Sequence, residues 1–268
     1  MISTATATAT ATVEPRSAVG NASTVYLRND IRRVFRNRRA MIFTIAMPAL
    51  LYLVFGATQD STESVGSGNV AFYVLIGMAL YGAVLAAASN AAAVSIEQQA
   101  GWTRTLMMTP LRPAGYVASK VTLALSMSAL PVVLLAAVGA LSGARADAGV
   151  WVLCFLLAWL GSAAFAALGL ALGSVLKSDG AMQALGGVLA LLAFAGNVFV
   201  PLSGTMLRIS EFTPMFGVVS LARYPLDGGV TVYDEQVELW VIIANVVFWA
   251  ATFAVAASYC YNRSTRRQ

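Results

Sequence analysis

The chain is poor in charge. Only 11% of its 268 residues are Asp, Glu, Lys or Arg, where a soluble domain carries about 25%. So little ionic surface excludes an ordinary soluble enzyme, and an apolar content of 59% excludes an intrinsically disordered chain. Histidine is absent altogether, which removes an imidazole metal site and an imidazole base together. The only two cysteines, Cys154 and Cys260, lie inside apolar runs and read as small core residues, not as a disulfide framework. No G-x-x-x-x-G-K-[ST] occurs, so the chain has no phosphate cradle of that kind, and no H-E-x-x-H occurs either.

What is present is apolar sequence in runs too long for soluble helices. A bilayer core about 30 Å thick needs roughly 20 apolar helical residues at about 1.5 Å each. Six runs meet that description, at about 40–57, 70–96, 116–141, 150–176, 184–201 and 239–261. The expected fold class is an all-α polytopic membrane protein with six transmembrane helices. Pro48 and Pro131 fall within their spans and are expected to kink them. Between 201 and 238 only short stretches are apolar, about 206–212 and 215–222; at half a span each they read as short external re-entrant helices before the last span.

Ahead of the first run the chain divides in two. Residues 4–12 alternate Thr and Ala, and 1–24 read as a disordered cytoplasmic tail, without the basic segment of a cleaved secretory signal. From 25 to 39, Leu27, Ile31, Val34 and Phe35 mark one helical face, while Arg28, Arg32, Arg33, Arg36 and Arg39 occupy most of the remainder. Such a helix lies in the headgroup layer, its arginines reaching the anionic phosphates of membrane lipids.

The net charge of +5 is distributed for orientation, and nucleic acid is not an expected partner. With both termini cytoplasmic, 14 of the 17 Lys and Arg residues lie inside, and only Arg145, Arg208 and Arg223 lie outside. The span interiors carry essentially no ionisable side chain; Glu97, Lys120 and Lys177 stand near span ends. Ion-driven carriers usually place such a residue near the midplane, whereas a carrier driven by another subunit has no need of one.

The most specific segment follows the second span and reads I-E-Q-Q-A-G-W-T-R-T-L-M-M-T-P-L-R-P over 96–113. Glu97 near a helix start, Gly101 at a bend, and Trp102 with Leu106 at i, i+4 suggest a short helix stopped before Pro110. This stretch resembles the coupling segment of the permease subunits of type-2 ATP-binding-cassette (ABC) transporters. Glu97, Gly101, Leu106, Thr109, Pro110, Arg112, Tyr116 and Lys120 fit that family's pattern. Gln98-Gln99 stand where Arg-Glu is usual, and Trp102 where Thr is usual. The run from Gly169 to Ser174 is similar to the family's G-L-x-L-G-S turn region, and the 25–39 helix to its connecting helix. The further Pro and Trp that members often carry between Pro201 and Pro214 are missing here.

The resemblance, which runs from about residue 25 onward, implies a non-catalytic permease subunit of the plasma membrane. Its relatives export drugs and antibiotics, lipids and glycan carriers. It implies no cofactor on this chain, with ATP and Mg held by a partner ABC ATPase subunit, and a second permease copy or a sister permease completing the pathway. It places ATPase coupling on Glu97, Gly101, Trp102, Arg104, Leu106, Pro110 and Arg112. Within the spans, Tyr52, Tyr81, Asn90, Ser126, Asn197, Phe199 and Asn245 are polar or aromatic residues able to contact an amphipathic solute, or to bond neighbouring helices. Gly161, Gly169 and Gly173 read as close-packing positions. The competing reading is an ion-coupled secondary transporter of a small solute.

Overall fold

The computed structural model describes the backbone of residues 38–58, 63–99, 113–175 and 179–265, and the side chains of 46–58, 63–93, 122–173 and 185–260. The tail 1–24, nearly all of the 25–39 helix and the 100–112 segment lie outside the described residues.

The elements run α1 (Arg38–Phe55), β1 (Ser64–Val65), β2 (Gly68–Asn69), α2 (Val70–Gln99), α3 (Pro113–Leu141), α4 (Ala148–Val175), α5 (Asp179–Ala195), α6 (Gly204–Ser210), α7 (Pro214–Asp227) and α8 (Leu239–Thr265). Among the described residues, four stretches are long and apolar enough to cross a membrane: Val70–Ala93, Thr122–Leu141, Ala148–Gly173 and Leu239–Cys260. The described apolar parts of α1 and α5 are shorter, Ala46–Phe55 and Leu185–Ala195. The chain is a mostly helical, multi-pass membrane protein.

α2 is the axis of the bundle. It is apolar on every side, and a helix of that kind is stable only when surrounded. The whole of its most apolar window is buried, against 17% for the corresponding window of α8. α1, α3, α4, α5 and α7 all pack on it. The closest neighbour is α4, which approaches through glycines: a Cβ on Gly169 would overlap the Ala88 carbonyl, and one on Gly173 would lie 2.7 Å from the Ala92 carbonyl oxygen. Small residues four apart let two backbones meet at van der Waals distance where no water drives the association. Gly82 of α2 plays the same part for the prolines inside α1 and α3, since a Cβ there would lie 2.9 Å from Pro131 and 3.2 Å from Pro48. α3 and α4 are further joined by the Trp159 indole, which donates to the Leu125 carbonyl at 2.8 Å, and by Ser162 to Ser128 at 3.2 Å. The opposite face of α8 exposes Trp240, Val247, Phe248, Val255 and Tyr259, a surface suited to lipid.

The helices agree with the all-α class expected from sequence, and beside them a two-residue antiparallel ladder joins Ser64–Val65 to Gly68–Asn69. Its final residue, Asn69, accepts from the Phe72 amide at 3.1 Å as the N-cap of α2. The same side chain accepts from the Arg145 amide and donates to the Gly143 carbonyl, tying the α3–α4 turn to the start of α2. The run expected to extend from 184 to 201 leaves the helix at Ala195. Asn197 takes a left-handed φ of 63°, a conformation that asparagine tolerates better than most residues, and the chain turns there. The second short helix is also longer than 215–222, reaching Asp227 before Gly228 caps it at φ 64°.

Candidate functional site

Of the candidates described by the structure, Asn90 and Ser126 lie farther along α2 and α3, whereas Tyr52, Asn197, Phe199 and Asn245 lie toward one end of the bundle. There α1, α3 and α5 finish, α2, α4 and α8 begin, and α6 and α7 lie between α5 and α8 in sequence. α7 is amphipathic: Met215, Phe216, Val218, Val219, Ala222 and Leu226 turn inward. Arg223 lies on that same inward face and is only 2% exposed.

A buried cation survives only when its donors and charge are met. Arg223 meets this through the backbone. Nε donates to the Tyr73 carbonyl at 3.1 Å, Nη1 to the Asn197 carbonyl at 2.7 Å and Nη2 to the Val198 carbonyl at 3.0 Å. Its guanidinium carbon stands 3.7 Å from the centre of the Tyr73 ring, a cation–π arrangement. Asn197 and Val198 lie just past the C-terminus of α5, where the helix dipole is negative and the last carbonyls lack helical partners. Gly77, one turn beyond Tyr73, leaves the necessary space, because a Cβ there would overlap the Val198 carbonyl oxygen. One side chain thus fastens α7 to α2 and to the end of α5. Asp227, one turn further along α7, is pushed up to about 6 by burial, against the opposing pull of the Gly229 amide and the Arg223 charge.

A second fastening lies at the other end of α7. Asn245 of α8 donates to the Glu211 carbonyl at 2.6 Å and to the Thr213 carbonyl at 3.1 Å, holding the α6–α7 turn. Its Oδ1 packs against Gly217 without a hydrogen-bond partner. The loop before α8 closes on itself through a Val230–Gln236 bridge, and Glu235 accepts from the Gly204 amide at 2.6 Å.

The seven pathway candidates do not form one surface. Tyr81 and Phe199 meet edge to face at 4.7 Å, and Phe194 and Phe199 meet edge to face at 4.8 Å. Asn197 lies beside them, with Oδ1 accepting from the Leu202 amide. Tyr52 is fully buried and bonded to Ser142 at 3.0 Å across α1 and α3. Asn90 and Ser126 donate to carbonyls of their own helices, Ala86 and Thr122. Of the coupling candidates, Gly101, Trp102, Arg104, Leu106, Pro110 and Arg112 lie outside the described residues, as do Arg28, Arg32, Arg33 and Arg36; Glu97 falls on the last turns of α2, where only the backbone is described. Sequence reasoning counted Arg223 as a charge in an outside loop. The signal that would have placed it is its spacing, four after Val219 and eight after Met215 on one helical face.

Residues 22–228 match the family model of the ABC-2 type transporter membrane domain. That is more than half of the chain, and the chain belongs to this family of transporter permeases, whose members work with an ABC ATPase. Comparison with curated proteins finds no significant match.

Removing the buried guanidinium tests the clamp. Arg223→Met leaves the carbonyls past α5 without a donor, at about 1–3 kcal/mol each. The thermal midpoint of the detergent-purified protein should fall by about 5 °C or more. Arg223→Lys should fall between the two, because an ammonium lacks the planar fork. A midpoint for Arg223→Met equal to that of the parent would show that the three bonds carry no stability.

Proposed function

We propose that this chain is the transmembrane permease subunit of an ATP-driven exporter, moving a hydrophobic or amphipathic solute outward across the plasma membrane. The observation that carries the reading is the family match over 22–228, which includes the segment resembling the family's coupling element. In this reading α1 and α5 also cross, giving six spans, and the 25–39 helix lies along the cytoplasmic headgroups ahead of the 40–268 transmembrane domain. Both termini are cytoplasmic, so the end carrying α6 and α7 is external. Half a pathway needs a second half, supplied by another copy or by a sister permease. ATP and Mg bind the partner ATPase, whose motion enters through Glu97 to Arg112 and drives alternating access. An ion-coupled carrier is less well supported: among the described residues Arg223 is the only fully buried Asp, Glu, Lys or Arg, three of its donors are engaged by carbonyls, and the partly buried Asp227 lies on the short helix α7 and not in a candidate span.

Orientation is tested by accessibility. Single cysteines at Ala146 and Thr231, in a background lacking Cys154 and Cys260, should react with an impermeant reagent in intact cells, while one at Ser178 should not. The reverse pattern would invert the topology.

Coupling is tested on the complex with its ATPase. Gly101→Pro removes a backbone donor and clashes with the preceding turn, and Glu97→Ala removes a charged contact at the C-terminal end of α2. Both variants should reach normal membrane levels yet lose co-purified ATPase or its hydrolysis. Parental levels of co-purification and hydrolysis in both would end the coupling role of this segment.

A further inference from the structure

A cavity of about 580 Å³ opens at the α6–α7 end between the exit of α1, the β1–β2 hairpin and the 199–201 and 232–233 segments. That volume suits a drug-sized ligand. Its floor is apolar and buried, built from Val65, Val70, Val74 and Phe199. Phe199 makes edge-to-face contacts with Tyr81 and Phe194, and Val70 and Val74 belong to the central helix α2.

The mouth has a different character. Glu63 and Tyr233 both line it and both are exposed. Glu63 is the only charged residue among the described lining, and no Lys or Arg joins it. Its backbone is fixed, since its carbonyl accepts from the Val70 amide at 3.2 Å at the base of the hairpin. A carboxylate and an exposed aromatic side chain lining a pocket with an apolar floor select for one charge sign: the carboxylate attracts a cation by Coulomb's law, and an aromatic ring attracts one through its quadrupole. The same pair repels an anion of equal size.

We propose that this cavity is a binding site for a hydrophobic monocation, with the apolar body on the Val65–Val70–Val74–Phe199 floor and the charge at the Glu63–Tyr233 rim. The site's role as an exit station for exported solute rests on the export reading above; the binding itself does not.

Two ions of the same shape and opposite charge test the site, tetraphenylphosphonium and tetraphenylborate. Their binding is measured without nucleotide on the full chain purified with its ATPase in detergent. Tetraphenylphosphonium should bind saturably, and several-fold more tightly than tetraphenylborate. Glu63→Gln, a change at an exposed position, should weaken the cation by about fivefold, the range of a solvent-screened ion pair, and should not weaken the anion. Val200→Trp, at the half-exposed edge of the lining, should abolish binding of both by filling the mouth. Absence of cation binding, equal binding of the two ions, an unchanged affinity in Glu63→Gln, or full binding in Val200→Trp would each overturn the proposal. The expected binding pattern without any ATP-driven movement of the cation would leave the site standing and count against export instead.

Discussion

A membrane protein has to satisfy its main-chain polar groups from within, and this is hardest where a helix stops at the edge of the bilayer. Here α5 stops at Ala195, and the carbonyls of Asn197 and Val198 are left beyond the last helical turn. Arg223 answers both, and a third carbonyl on α2, with a single planar fork. The arrangement works in both directions. The carbonyl dipoles at the negative end of α5 and the face of Tyr73 supply the compensation that a buried cation requires. Neither side would be stable there alone.

From that constraint follows the shape of the whole α6–α7 end. With α7 fastened to α2 and α5 at Arg223, and the α6–α7 turn fastened to α8 at Asn245, the short helices are extensions of the bundle and not a loose covering. Asn69 ties the α3–α4 turn into the same end, and Ser67 reaches the Leu226 carbonyl from the hairpin. The cavity at this end has a buried apolar floor and one carboxylate in its described lining. At the opposite end, the segment with the strongest family resemblance follows α2, the most buried helix. In the proposed reading, a push delivered there acts on the axis to which the α6–α7 end is fastened.

Long apolar runs announced the membrane helices, because burial in lipid demands about 20 residues of one character and little else imitates that. The starts of α2 and α8 were legible to the residue, at Val70 and Leu239. Glycines within α4 were legible as packing positions for the same reason, and Gly169 and Gly173 do meet the α2 backbone. Hydropathy failed where the decision was local: the end of α5 turns on Asn197 adopting a left-handed φ within a sequence that stays apolar to Pro201. It failed again at Arg223, since an arginine reads as solvent-facing until three carbonyls from distant parts of the chain are brought to it. Spacing on α7 carries that information, but only once the helix is known to extend past Ala222. The rim of the cavity, Glu63 with Tyr233, joins residues far apart in sequence, and only the folded bundle brings them together.

If the chain is the ATP-driven permease proposed above, its α6–α7 end, fastened at Arg223 and Asn245, moves as one body when the partner ATPase uses ATP. This central claim is tested most directly by spin-label distances in the reconstituted complex, in a background lacking Cys154 and Cys260. A pair at Ala146 and Thr231 within one permease should keep the same distance distribution without nucleotide, with ATP and in a trapped hydrolysis state. Thr231 against a label on the external end of the paired permease should shift between those states, and should not respond to an imposed ion gradient. A shift within the single permease, or an unmoved distance across the pair while ATP is being hydrolysed, would contradict the account.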